Sequence, residues 1–349
     1  MRRLYHRLQV KLFSLPPLHL IMYIKVTINY PEKIMTGIKR QIILLSSLFI
    51  LNNTLSAAEE CAVSKWGPND EVGNANLITS ASILKASKLI KTGKTYSLGI
   101  IIDANTPAYP PRSLSLQVVQ PTQQFGNRTF PNSTYNDDIF HGWLGIGPQI
   151  DGLGHIGSPG GIFYNCNDGK EIAQITGLTK LGVEKIPPIV ARGIVLDMAS
   201  HFGVDSMKAG EYFSVEDVQA VVKKQGTPIK EGDVVLFHTG WTDAMLETNP
   251  EAWAAGEPGI SPEVASMLAK KNVVAVGADT WGVDVVPPVE ANAPFQGHVI
   301  LLQQNGIYTL ETMNTGPLVK DKAFEFLFVL GQAKIRGAVQ MIINPIAIR

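Results

Sequence analysis

Cysteine is nearly absent from the chain, which has only Cys61 and Cys166. Two thiols cannot build a disulfide framework, and no CxxC or Cys/His zinc spacing accompanies them. In an oxidising compartment they could pair with each other. Net charge is absent as well, with 30 Lys/Arg against 30 Asp/Glu. Eight of the basic residues lie in 1–57 beside a single acid, Glu32, which leaves 22 basic and 29 acidic residues beyond. An acidic body offers no patch for nucleic acid, so a small molecule is the expected partner. The apolar run at 42–51 is too short to span a bilayer. There is no G-x-S-x-G elbow, no G-x-x-x-x-G-K-[ST] loop and no H-E-x-x-H helix. Internal repeats and low-complexity tracts are missing too.

What is present at the front is a targeting pattern. Lys39 and Arg40 precede the apolar run, and Leu55, Ser56, Ala57 and Ala58 follow it. This reads as a secretory signal peptide over 35–57, with an uncleaved N-terminal anchor as the alternative. The expected organisation is a leader over 1–57 and one domain over 58–349. That domain would be periplasmic or secreted, with no stable membrane anchor after cleavage.

Within the body, strand and helix patterns alternate, which is an α/β class. Thr79 and Ser214 are N-cap candidates for helices over 80–90 and 214–224, and Ser261 with Pro262 opens a third to about 271. A further helix is expected to begin over 299–302. Buried strands are expected over 189–198, 232–241 and 273–279, with others at 94–102, 114–119, 306–310, 323–330 and 338–343. Residues 103–140 read as a long excursion with one strand, crossing a pocket mouth. Residues 157–169 read as loop.

The buried strands end in polar residues: His238 and Thr239, Asp279 and Thr280, and Glu311. Ligand sites of α/β sheets collect at such carboxyl ends. Five histidines follow the leader. A metal site would need some of His141, His155, His238 and His298, whereas His201 in a Ser-His-Phe-Gly turn reads as structural. The densest chemical stretch is G-I-G-P-Q-I-D-G-L-G-H over 145–155. In extended backbone, alternate residues share a face, so Gln149, Asp151 and His155 can point one way. Such a set suits a divalent metal that activates water. A Gly-rich turn with a capping Asp and a buried His is the plainer alternative.

Read with W-G-P-N-D-E-V-G at 66–73, R-G-I-V-L-D at 192–197, G-D-V-V-L-F-H-T-G-W at 232–241 and the run from His298 to Glu311, this stretch resembles the cyclase family of metal-dependent hydrolases. Bacterial kynurenine formamidase and isatin hydrolase belong to that family. The family motif is H-x-G-T-H/Q-x-D-x-x-x-H. The resemblance runs from about residue 64 to the C-terminus. It implies a cyclase-like (swivelling β/β/α) single domain, with a mixed central sheet or open barrel flanked by helices. It implies that Asp151, His298 and Glu311 hold Zn²⁺ or Mn²⁺, with Gln149 a weak further ligand. It makes His155 the general acid/base and gives Glu311 a catalytic role beside its ligand role. Gly145, Pro148 and Gln149 stand where the motif has His, Thr and His, which depletes one of two metal sites. His141 could swing in to compensate.

The implied activity is hydrolysis of a C–N bond in an amide, formamide or cyclic amide, arylformamidase-like, as in tryptophan catabolism. Trp66, Trp241 and Trp281 are candidate walls for an aromatic substrate, and equally candidates for plain core. By analogy with the family, the chain would form a homodimer or homotetramer. The alternative is a small-molecule binding protein that keeps the fold with an eroded site. A metal-independent serine hydrolase lacks its motif.

Overall fold

The computed structural model describes residues 61–119 and 135–349. The leader read over 1–57, with its signal at 35–57, lies outside the described residues. Long apolar stretches with both faces covered dictate the centre of the fold. Nine strands form one mixed sheet: β1 (Thr95–Ser97), β2 (Gln149–Asp151), β3 (Ile189–Asp197), β4 (Val234–His238), β5 (Ala275–Ala278), β6 (Tyr308–Glu311), β7 (Glu325–Leu330), β8 (Gln340–Ile342) and β9 (Ile346–Ile348). They lie in the order β1-β9-β7-β3-β4-β5-β6-β2-β8. The four central strands, β3 to β6, are parallel. The pairs outside them are antiparallel.

Parallel strands need crossovers, which cover both faces and make the strands apolar throughout. Every residue of β4, β5 and β6 is buried. Successive residues of β4 face different cores. Val234 and Leu236 pack with Ile150, Leu310, Phe326 and Phe328. Val235 and Phe237 pack with Val218, Val264, Leu268 and Ile300. The second core rests on helices α2 (Val215–Gln225) and α3 (Pro262–Lys270). A shorter helix, α1 (Ser80–Ser87), lies before β1. The described residues belong to one compact unit. None of their helices is long and apolar enough to cross a membrane.

The caps follow the sequence reading. Thr79 and Ser214 each close a capping box, with Ser82 and Asp217 at the third helical position. Ser261 accepts from Val264 N, with Pro262 in the first turn. Asp217 also meets His201 Nε2 at 2.9 Å, which gives that histidine a structural place. Replacing Ser214 with alanine is expected to cost about 1 kcal/mol through loss of the cap. A lowered urea midpoint with an unchanged m-value would check this.

Several local readings are corrected. The strand read over 94–102 is only Thr95–Ser97. Beyond it, Leu98 N turns to Pro345 O (2.8 Å) and Gly99 N to the Asn344 side chain (3.1 Å), so the ladder stops. Strand Leu114–Val119 pairs with a second strand, the exposed Asp137–Gly142, where the excursion over 103–140 is expected to hold only one. The stretch 157–169 contains paired two-residue strands around Tyr164–Cys166. The helix read over 80–90 ends at Ser87. The closing strand β9 was not anticipated.

The thiols do pair: Cys61 is bonded to Cys166 across a Cα–Cα distance of 5.4 Å. Beside them, the Asn165 amide donates to the carbonyls of Gly67 (3.0 Å) and Asp70 (2.9 Å). The Tyr164 hydroxyl donates to Asp70 (2.6 Å). These bonds pin the turn-rich entry segment to the body.

Candidate metal centre

Strand register assembles the centre. β2 lies between β6 and β8. Glu311 stands opposite Gln149, and Thr309 opposite Asp151. On the other side Gln340 stands opposite Asp151. Residues directly opposite in a ladder share a face, so Gln149, Asp151, Thr309, Glu311 and Gln340 all present side chains to one place. His298 arrives from the helical turn Gln296–His298, where the chain passes into π-helix over Val299–Gln304. Such π segments recur at functional sites.

Asp151, His298 and Glu311 are all buried, and one ligand atom from each lies within 4.8 Å of the others. His298 Nε2 is 2.9 Å from Glu311 Oε1 and 3.5 Å from Asp151 Oδ2. Thr309 donates to Asp151 Oδ2 (2.8 Å), and Gln340 Nε2 donates to Asp151 Oδ1 (2.7 Å). Gln149 Nε2 donates to Glu311 Oε2 in a short hydrogen bond. The amide nitrogen of Gln149 thus meets the cluster. His155 follows β2 through a turn closed by its own N–H to Gly152 O (3.0 Å). Its Nε2 lies 3.9 Å from Asp151 Oδ2.

Sequence reading missed two acids behind this cluster. Asp284 accepts from the backbone N–H groups of Gly297 (2.7 Å) and His298 (3.0 Å) and makes a short bond to His298 Nδ1. A carboxylate on one ring nitrogen orients the other toward a metal. The run from Asp279 to Asp284 was the signal for it, but only Asp279 drew notice. Glu257 is fully buried, accepts from Gly282 N (2.9 Å) and leaves Oε1 without a partner among the described residues. Nothing local in the sequence marks it.

The electrostatics follow from four buried carboxyls around one imidazole. Burial, then the charge of Asp151, pushes Glu311 up to about 7. Burial pushes Glu257 well above the ordinary carboxylate range. Burial would raise Asp151 too, but the neighbouring His155 and His298 imidazoles and the hydrogen bond from Gln340 hold it low. Burial lowers His298, but hydrogen bonds to Asp151, Asp284 and Glu311 win and raise it. His155 is pushed down by burial, with Asp151 only partly offsetting this, so a neutral imidazole is favoured there. Buried negative charge of this kind is costly unless a cation balances it. Two carboxylates and an oriented imidazole are a donor set that suits Zn²⁺ or Mn²⁺. Replacing Asp284 with asparagine is expected to weaken metal binding roughly 10- to 100-fold. A competition titration against a chelator would measure it.

The remaining candidates fall in different places. His238 pairs with Thr315 (2.8 Å) and Asp279 (3.3 Å), away from the donor set. His141 sits on the exposed hairpin and lines a cavity of about 750 Å³ together with Arg112, Trp143, His155 and Gln340. Arg112 donates to Gly145 O (2.7 Å). Trp281 contacts Tyr109 (5.3 Å) and Phe295 (6.4 Å), and Phe295 meets the His298 ring edge-on at 5.9 Å. Trp241 and Trp253 pack in the same apolar cluster as Trp281. Trp66 is half-exposed beneath Lys65, whose amine reaches Asn272, just before β5. That is the opposite end of the sheet from the centre.

The Cyclase family model matches residues 96–285. That is more than half of the chain, and the chain belongs to this family. A crystal structure described as a novel cyclase is similar over 83% of this chain and all of its own, with 28% identity and a TM-score of 0.75. Isatin hydrolase A from Ralstonia solanacearum is similar over 78% of this chain and 98% of its own, with 18% identity and a TM-score of 0.56. Isatin hydrolase A from Labrenzia aggregata, solved with benzyl benzoate, is similar over 77% and 98%, with 18% identity and a TM-score of 0.54. A search of the curated proteins finds no match.

Proposed function

We propose that the chain is a metal-dependent hydrolase acting on a C–N bond in an amide, formamide or cyclic amide. One observation carries the reading: the buried convergence of Asp151, His298 and Glu311 within 4.8 Å. Isatin hydrolases share the fold, which supports a hydrolytic reading. A divalent cation held there supplies Lewis acidity, lowering the pKa of water and polarising a carbonyl. The chain's own residues do the rest. Asp284 fixes the His298 tautomer that points Nε2 inward. His155, neutral and at the cavity wall, takes a proton from the attacking water and delivers it to the leaving nitrogen. Arg112 lines the same cavity and faces the negative charge that an acyl product carries. Trp281, whose buried indole N–H has no partner among the described residues, offers a substrate both a ring face and a donor.

The proposed substrate is a flat aromatic amide of arylformamidase type, to which Trp143 on the cavity wall offers a ring. The test is a screen of N-formyl aromatic amines, cyclic imides and lactones with metal-loaded and chelator-stripped protein. Turnover that is equal in both preparations would overturn the reading. The rival is a binding protein with an eroded site, favoured by Gly145, Pro148 and Gln149. It predicts well under one equivalent of metal after expression in metal-replete medium. Export to the periplasm or medium is part of the proposal, supported by the leader pattern and the Cys61–Cys166 bond. A homodimer or homotetramer is proposed with it.

A further inference from the structure

We propose that the centre takes a single ion, because two glutamine amides, from Gln149 and Gln340, close the position beside it. This rests on the metal-centre reading above. Each carboxylate of the cluster has an inner and an outer oxygen. The inner oxygens, Asp151 Oδ2 and Glu311 Oε1, converge with His298 Nε2. In two-metal hydrolytic sites, ions about 3.5–4 Å apart clamp the reacting oxygens between them. A second ion here would need the outer oxygens, Asp151 Oδ1 and Glu311 Oε2. Both are occupied by nitrogen donors: Gln340 Nε2 at 2.7 Å from the first, and Gln149 Nε2 in a short bond to the second. An amide NH₂ has hydrogens to give and no lone pair to ligate with. The two amides therefore satisfy the charge that a second cation would otherwise satisfy.

Turning the amides over costs both hydrogen bonds and aims carbonyl oxygens at carboxylate oxygens, an arrangement that only a bound cation would offset. The backbone reinforces the closure. Gly145 has no side chain, and a Cβ there would lie 2.6 Å from Gln340 Nε2. The Gln340 amide therefore lies across the space that a side chain at 145 would enter. Gln340 and Gly145 are a matched pair: a ligand at 145 requires the Gln340 amide to swing off Asp151 or to be removed. Among the described residues, no other group of three His, Cys, Asp or Glu side chains converges in this way.

The test counts ions without using turnover. The purified full chain is loaded with Mn²⁺, desalted, and examined by elemental analysis and electron paramagnetic resonance. The expected wild-type result is one equivalent with the spectrum of an isolated ion. The Gly145→His/Gln149→His double variant, with Gln340 in place, is expected to stay at one equivalent. Adding Gln340→Ala is expected to raise the count to two, with the broadened spectrum of a coupled pair. Two equivalents in the wild type, or a folded triple variant that stays at one, would overturn the proposal. No bound ion in the wild type would instead overturn the metal-centre reading on which it rests. Should the triple variant fail to fold, the wild-type count and spectrum still decide between one ion and two.

Discussion

Replacing Glu311 with glutamine is expected to strip the centre of metal and to lower hydrolysis roughly a thousandfold or more, the worth of several kcal/mol of lost Lewis-acid stabilisation. Both carboxylates meet nitrogen or hydroxyl groups at both oxygens, Glu311 meeting His298 and Gln149 and Asp151 meeting Thr309 and Gln340, so either amide variant is read beside a folding control. An amide at either position turns an NH₂ toward one of those groups, and the control separates a lost metal from a damaged core. A glutamine at 311 keeps the side-chain shape and relieves repulsion from the Asp151 charge. The fold should therefore survive, and circular dichroism would confirm it. Elemental analysis is the deciding measurement. A variant that keeps a full equivalent of metal would remove Glu311 from the ligand set.

The second large effect is expected at His155. Truncation to alanine should lower kcat by roughly 10²- to 10⁴-fold, the usual worth of a positioned acid/base. Metal content should not change. The His155 ring stands 3.9 Å from Asp151 and is not one of the three converging donors. That split separates a proton carrier from a ligand. Loss of metal in His155→Ala would make it a ligand instead. Together the two variants dissect the centre: Glu311→Gln should lose metal and turnover, His155→Ala turnover alone.

The role of Asp284 differs from both. It reaches the centre only through His298, so it is a positioning residue. Its expected mark is weaker metal binding, with His298 still in place. Arg112 lines the cavity, whereas Trp281 packs with Trp241 and Trp253 and touches Tyr109 and Phe295.

Much of the architecture was legible from local pattern. Strands β4 and β5 and residues 194–196 of β3 are apolar because parallel strands are buried on both faces. The boxes at Thr79 and Ser214 announced their helices because a capping hydroxyl and its partner lie three residues apart. Asp151, His298 and Glu311 were singled out as well, through the order of motifs along the chain. The failures share a cause. β1 is short because its ladder is interrupted by Pro345 and Asn344, which lie some 250 residues away. The strand Asp137–Gly142 is exposed along its whole length, so no buried face marks it.

The sequence by itself determined the three central buried strands, the helix starts at Thr79, Ser214 and Ser261, and the acids and histidines at strand ends. These depend on neighbours a few residues away. Only the tertiary structure decided what surrounds the stretch 145–155. The opposition of Gln340 to Asp151 spans 189 positions and exists because β8 lies beside β2. The bond from Gln149 to Glu311 spans 162 positions and exists because β6 lies on its other side. Strand order is set by how two cores and their crossovers pack, and no local pattern encodes it. That order turned a glycine and two glutamines into the boundary of the metal centre.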